Sequence, residues 1–282
     1  MTNSHLKYRL IKDKLFYLFV ILMSFIVTVP LFVIIYYIFK MGLSSLSWDF
    51  ISKLPAPMGE SGGGILNALI GTAIIVLLSS LIAVPIGISA GIFLSEFKER
   101  KLAKYVRFCT EVLQGAPSIV LGIIAYIWIV KPTQNFSALS GAVALSIMML
   151  PVIIRSTEET LKMIPHTLKE ASLSLGVPYS TTIFRIILPC GLNGILTGVL
   201  LSIARIMGET APLLFTAFGS PFLSLDLMKP MNSLPTMIYN YAASPYPQDN
   251  AFAWGISAIL CIFVLVINLI AKGVSKKWKV QF

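Results

Sequence analysis

Apolar residues in this chain come in long blocks, not at alternate positions or along a narrow stripe. Six such blocks lie near 15–39, 65–94, 109–130, 138–154, 191–218 and 251–271, divided by short polar segments. About 20 apolar residues in a helix cross a bilayer core, and a helix satisfies its own backbone there. The pattern therefore predicts an all-α integral membrane protein. It has six transmembrane helices in a single transmembrane domain, 1–282. The fourth block is short for a span and the second long. The first block is too long for the apolar core of a cleaved leader and reads as a retained span.

The polar segments carry signals of their own. Residues 155–190 form the longest internal one on their side. Within it, Pro165 suits the first turn of a short helix. Leu168, Ala171 and Leu175 then fall on one face at helical spacing. Gly176 suits the left-handed position after that helix, and Pro178 prevents its continuation. A second short run follows, with Ile183, Phe184 and Ile187 apolar. On these grounds alone the segment is an amphipathic loop, at the membrane surface or against a partner. On the other side, 40–64 and 219–250 are rich in Pro, Gly and Tyr and predict short interfacial helices and turns. Docking of an external partner is an equal reading there. Inside the third block, Gly115-Ala116-Pro117 predicts a kink or interruption. Such a break serves either packing or the lining of a cavity.

Composition strengthens the membrane reading. Of 282 residues 56% are hydrophobic and only 12% are charged, and the mean hydropathy is +0.85. The net charge is +10. With the N-terminus inside, 17 of the 22 Lys and Arg lie on the inner side and four on the outer, Arg205 being left over. That asymmetry predicts cytoplasmic N- and C-termini. It accounts for the charge as a topology signal, so no nucleic-acid surface is implied. Cys109, Cys190 and Cys261 are odd in number and scattered, which indicates neither a disulfide framework nor a metal site. His5 and His166 fall in segments predicted to be solvated.

Arg205 is the one basic residue near the middle of an apolar block. Gly194, Gly198, Ser202, Arg205 and Glu209 are spaced 4, 4, 3 and 4 apart. On one helix they would share an arc of about 80°. Small residues admit a neighbouring helix, and a mid-membrane Arg costs roughly 3 kcal/mol. Glu209, one turn on, is the nearest partner. The pair either fixes packing or leaves a cationic site for an anion in transit, since guanidinium donors suit phosphate and sulfate oxygens.

Glu170-Ala171-Ser172, Gly176 and Ile186-Ile187-Leu188-Pro189 have the spacing of a known element. They resemble the EAA loop of membrane subunits of ATP-binding-cassette importers, with Ser172 in place of the family's second Ala. The stretch Ala204–Leu214, which contains Gly208-Glu209-Thr210-Ala211-Pro212, narrows the resemblance. So do Gly115–Val120 and Ser233–Pro245. Together they resemble the A-type permease of bacterial phosphate-specific importers over most of 60–255. Gln114-Gly115-Ala116 stands where relatives often have Ala-Gly-Val.

The resemblance implies the type I fold of binding-protein-dependent importer permeases in a bacterial inner membrane. It implies that Glu170, Ala171, Ser172, Gly176, Leu188 and Pro189 dock an ATPase, and that Arg205 and Glu209 serve phosphate passage. Ser202 is placed beside them by the helical stripe. The implied partners are a second, C-type permease, two copies of the ATPase and an extracytoplasmic phosphate-binding protein. ATP and Mg would be bound by the ATPase, as this chain has no GxxxxGK[ST] sequence and calls for no cofactor of its own. Sulfate or molybdate is the alternative substrate, since Arg chemistry does not separate oxyanions. A membrane enzyme acting on a phosphorylated lipid would need a nucleophile or acid/base pair at depth, and only Arg205 and Glu209 are there.

Overall fold

Helices account for nearly every long segment of the chain. The computed structural model describes residues 3–57, 59–60 and 62–277. In chain order the helices are α1 (Asn3–Gly42), α2 (Trp48–Ser52), α3 (Leu66–Glu96), α4 (Lys101–Gly115), α5 (Ser118–Ala125), α6 (Lys131–Thr133) and α7 (Ala138–Lys162). They continue with α8 (His166–Ser174), α9 (Tyr179–Thr182), α10 (Leu188–Ile206), α11 (Ala211–Thr216), α12 (Leu234–Ala242) and α13 (Pro247–Lys277). Wider π turns, Tyr126–Val130 and Ile183–Ile187, join α5 to α6 and α9 to α10.

Five of the expected spans are long apolar helices, and the remaining one is a bent pair. The expected third span is α4 followed by α5–α6, bent by 109° at Ala116-Pro117. Pro117 has no N–H to give to a continuing helix, so the break predicted from Gly-x-Pro is present and deep. The expected fifth span, 191–218, is also corrected. It stops at Ile206 and resumes only at Ala211. Gly208 N–H donates to Arg205 O and Glu209 N–H to Ile206 O, tightening the last turn until it ends. Pro212 then opens α11. The fourth span exceeds its expected end at 154 and runs to Lys162, so the loop expected from 155 begins after that residue.

α3, α7 and α10 form the centre. Gly87 and Gly91 of α3 lie under Ile153 and Thr157 of α7, so the two helices approach where side chains are absent. Ile75, Leu121, Leu145, Met149, Ile153, Val199, Ile206 and Leu213 make one core that joins α3, α5, α7, α10 and α11. The end of the bundle that holds α8 is the one expected to face the cytoplasm. At the opposite end a second core gathers Phe50, Ile65, Leu234, Met237 and Ile256. The two loops there contain the short helices α2 and α12. Ser233 caps α12 in a reciprocal capping box with Thr236. Asn67 Nδ2 donates to Ser220 O at 2.7 Å, fixing the second loop to α3. α1 meets α13 where Gly42 sits against Trp254 and Ala258, and the apolar length before that is exposed.

Candidate functional site: a broken span and a tethered loop

The stripe of small residues on α10 meets α7, which runs antiparallel to it. Gly194 seats Thr160, and Gly198 seats Ser156. Ser156 Oγ donates to Gly194 O at 3.2 Å. The close helix approach expected from these glycines is present. Ser202 is fully buried and donates to Val199 O of its own helix at 2.7 Å, so its hydroxyl is not offered to a solute. The continuous helical stripe from Gly194 to Glu209 is corrected by the stop at Ile206: Glu209 lies in the break.

Arg205 is in the last turn of α10 and its side chain is 50% exposed. Its Nε is 4.0 Å from Glu209 Oε1, and Glu209 is 19% exposed. Such a distance marks a loose pair, worth no more than about 1 kcal/mol where solvent reaches it. The guanidinium is thus oriented without being saturated, and its planar donors remain for an oxyanion.

The two broken spans pack on one another. Gly122 of α5 lies against Pro212 of α11, where an added Cβ would be 2.7 Å from Pro212 Cα. Leu121 and Leu213 share the central core. The residues that interrupt the two helices, Pro117 and 207–210, are thereby tied into one unit. Pro117 and Gly208 are exposed, and the backbone of an interrupted helix is tolerated in a membrane when it faces protein or water.

The loop expected to dock a partner is built in layers. Gly176 has φ +76 and ends α8; its N–H donates to Leu173 O, and Val177 N–H to Ser172 O. Both bonds satisfy carbonyls at the helix end. The three apolar residues at helical spacing do not share one environment. Leu168 packs towards Leu161, Ile164, Ile183 and Ile187, but Ala171 and Leu175 are exposed, Leu175 at 84%. Ser172 is the buried residue, with its Oγ 2.9 Å from Thr182 Oγ1. The face that α8 leaves open therefore carries Glu170, Ala171, Ser174 and Leu175. Leu188 packs internally against the loop core and Pro189 is exposed in the first turn of α10. Phe184, expected with the apolar run, is exposed, while Ile183 and Ile187 are buried.

Sequence reasoning missed what anchors this loop. Lys169 and Tyr179 both donate to Glu96 Oε2, at the end of α3. Burial disfavours the Lys169 ammonium, but its contacts with Glu96 and Tyr179 together outweigh it, and its pKa rises above the ordinary lysine value. Nothing in the spacing of residues 73 positions apart signals this contact. A second missed cluster joins α4 to α7: Arg107 Nη2 and Lys162 Nζ reach Glu158 Oε1 at 2.7 and 2.5 Å. Among the described residues no group of three His, Cys, Asp or Glu is arranged to hold a metal ion.

Comparison with known proteins agrees with this architecture. Residues 83–280 match the family described as the inner membrane component of binding-protein-dependent transport systems. A curated relative from Pasteurella multocida, named phosphate transport system permease protein PstA, is 42% identical, covering 96% of this chain and 97% of its own length. A relative from Methanocaldococcus jannaschii, named probable phosphate transport system permease protein PstA, is 33% identical with 94% of both chains covered. Among solved structures, a chain of the MetNI methionine ABC transporter in an inward facing conformation superposes with a TM-score of 0.61. It is 19% identical and covers 77% of this chain and 95% of that one, a likeness of fold. The chain is a multi-pass membrane protein and belongs to the family of inner membrane components of binding-protein-dependent transport systems.

Proposed function

We propose that this chain is a permease subunit of an ATP-driven importer of inorganic phosphate in a bacterial cytoplasmic membrane, with both termini on the cytoplasmic side. The observation that carries the reading is Arg205: a half-exposed guanidinium at the end of a broken span, held loosely by one carboxylate. Relatives named for phosphate transport, alignable over nearly the whole chain, support the substrate. A second, similar permease completes the pathway, and the anion passes between the two. Arg205 attracts it, and Glu209 keeps the guanidinium oriented and limits how tightly the anion is held, since a pathway must release what it binds. Ser202 has no direct part, because its hydroxyl is buried and used by its own helix.

Energy comes from outside the chain. Two copies of an ATPase, which bind ATP and Mg, engage the open face of α8, with Glu170, Ala171 and Leu175 outermost and Gly176 shaping its end. Ser172 and Leu188 support that face from within. An extracytoplasmic binding protein delivers phosphate to the loops around α2 and α12.

The test is ATP-dependent uptake of labelled phosphate by the reconstituted complex beside Arg205→Gln. We expect uptake that excess phosphate alone suppresses and that the variant abolishes while the complex still assembles. Equal suppression by sulfate or molybdate would reassign the substrate to another oxyanion. Normal uptake by Arg205→Gln would remove Arg205 from the pathway. Labelling of a cysteine at Ser244 only from the cytoplasmic side would reverse the orientation.

A further inference from the structure

At the end of the bundle that holds α8, a cavity of about 330 Å³ lies between the end of α3, the last turn of α7 and the start of α8. It has room for roughly ten waters at ~30 Å³ each, enough for a hydrated anion. Its walls carry Lys98, Lys162, Lys169 and His166 against one carboxylate, Glu96. That carboxylate already accepts from Lys169 and Tyr179. Lys162 is engaged by Glu158, which is not part of the wall. Lys98 and His166, both exposed at the rim of the cavity, have no hydrogen-bond or ion-pair partner among the described residues. No side chain caps the start of α8, so its first-turn N–H groups add to the positive character of the same wall.

We infer that this cavity binds a phosphoryl oxyanion: either inorganic phosphate or the headgroup phosphate of an anionic lipid. Of the three ammonium groups, Lys162 and Lys169 are paired with Glu158 and Glu96, and Lys98 is the excess charge such a group neutralises. The occupant gives Lys98 and His166 a partner. It also competes with Glu96 for Lys169, and so loosens the tether that holds α8 in place. For inorganic phosphate the consequence is feedback, in which anion accumulated on that side weakens coupling to the ATPase. This consequence rests on the proposed transport function; the binding does not.

The test uses the membrane complex with its ATPase, without a binding protein, in phosphatidylcholine nanodiscs and in parallel in phosphatidylglycerol nanodiscs. All samples carry Arg205→Gln, which removes the pathway site. Inorganic phosphate is the probe, and its binding is read from phosphorus NMR line width. In phosphatidylcholine we expect binding that Lys98→Gln with His166→Gln weakens about tenfold or more, and that Lys98→Arg preserves. Loss of this binding in phosphatidylglycerol, with less of that lipid retained by the double variant, assigns the cavity to the headgroup. Undiminished binding there assigns it to free phosphate. The idea is overturned if the double variant binds phosphate and retains phosphatidylglycerol as its parent does. It is equally overturned if phosphate binds nowhere in the assembled complex in phosphatidylcholine, which would mean that the ATPase fills the cavity. Failure of the transport reading would show separately, as normal uptake by Arg205→Gln.

Discussion

Glu158 is 1% exposed and sits where α4 meets α7. Both of its cationic partners, Arg107 and Lys162, bind the same oxygen, while Oε2 has no hydrogen-bond partner among the described residues. The carboxylate is thus the group that depends on its neighbours, since the two cations are partly solvated and can hydrate if released. Replacing Arg107 alone leaves Lys162 in place and should cost little. Arg107→Gln with Lys162→Gln strands a buried charge, at about 3–5 kcal/mol. At about 2–4 °C of melting temperature per kcal/mol for a chain of this class, the double variant should melt roughly 6–20 °C below the parent. Adding Glu158→Met removes the stranded charge and keeps the volume, so most of the loss should return. The assay is thermal unfolding of the purified complex, parent against single, double and triple variants. A double variant melting within about 2 °C of the parent, or a triple variant no more stable than the double, would refute the reasoning.

Three further perturbations separate steric, backbone and electrostatic roles. Gly122→Val pushes into the backbone of Pro212; uptake should fall sharply and stability by about 1–3 kcal/mol, whereas Gly115→Ala, with nothing within 4 Å of its new Cβ, should transport normally. Gly176→Ala meets open space but keeps a φ of +76, so it should cost about 1–2 kcal/mol of local strain, read as weaker co-purification of the ATPase with the permease pair intact. For the Lys169 tether the sign follows from a raised pKa: its stabilisation is complete below the ordinary lysine value near ~10.4 and is lost only as pH rises through the higher folded value. A spin label at Leu175 should therefore keep one mobility from about pH 6 to about pH 9, and be more mobile throughout that range in Lys169→Gln.

Blocks of apolar residues made the spans legible, because a bilayer demands length and composition before it demands anything specific. The break at Pro117 was legible for the same local reason, since a missing N–H acts on its own helix. The break at 207–210 had its signals, Gly208 and Pro212, but the apolar run around them outweighed them, and the stripe through Glu209 was drawn on a helix that had already ended. Burial across elements left no trace in spacing. Glu158 stands beside Glu159 in the sequence; one is buried and the other is 63% exposed, and only α4 decides which. The open face of α8 is not legible, because an amphipathic pattern marks an apolar face without saying whether its own chain or a partner covers it. Ser172, the departure from the family motif, is buried because Thr182 offers it a hydroxyl.

The loop that contains α8 and Arg205 stand at the two ends of one helical run. From Tyr179 the chain is helical without a gap to Ile206, passing through the π turn at Ile183–Ile187. Those 28 residues span about 42 Å at 1.5 Å per residue. α8 is fastened to the near end by the Ser172–Thr182 contact and by the pairing of Lys169 and Tyr179 on Glu96. Arg205 sits in the last turn at the far end, just before the helix stops. If the proposed ATPase tilts α8, the motion reaches the guanidinium along this run, whose one irregular stretch is the π turn and Pro189. Beyond the break, α11 packs on α5 through Gly122 and Pro212, so Glu209, in the break, stands between the end of α10 and the α5–α11 contact. A firm ion pair would resist that displacement. On the proposed function a loose pair is what such a site needs, and the 4.0 Å separation of Arg205 and Glu209 is loose.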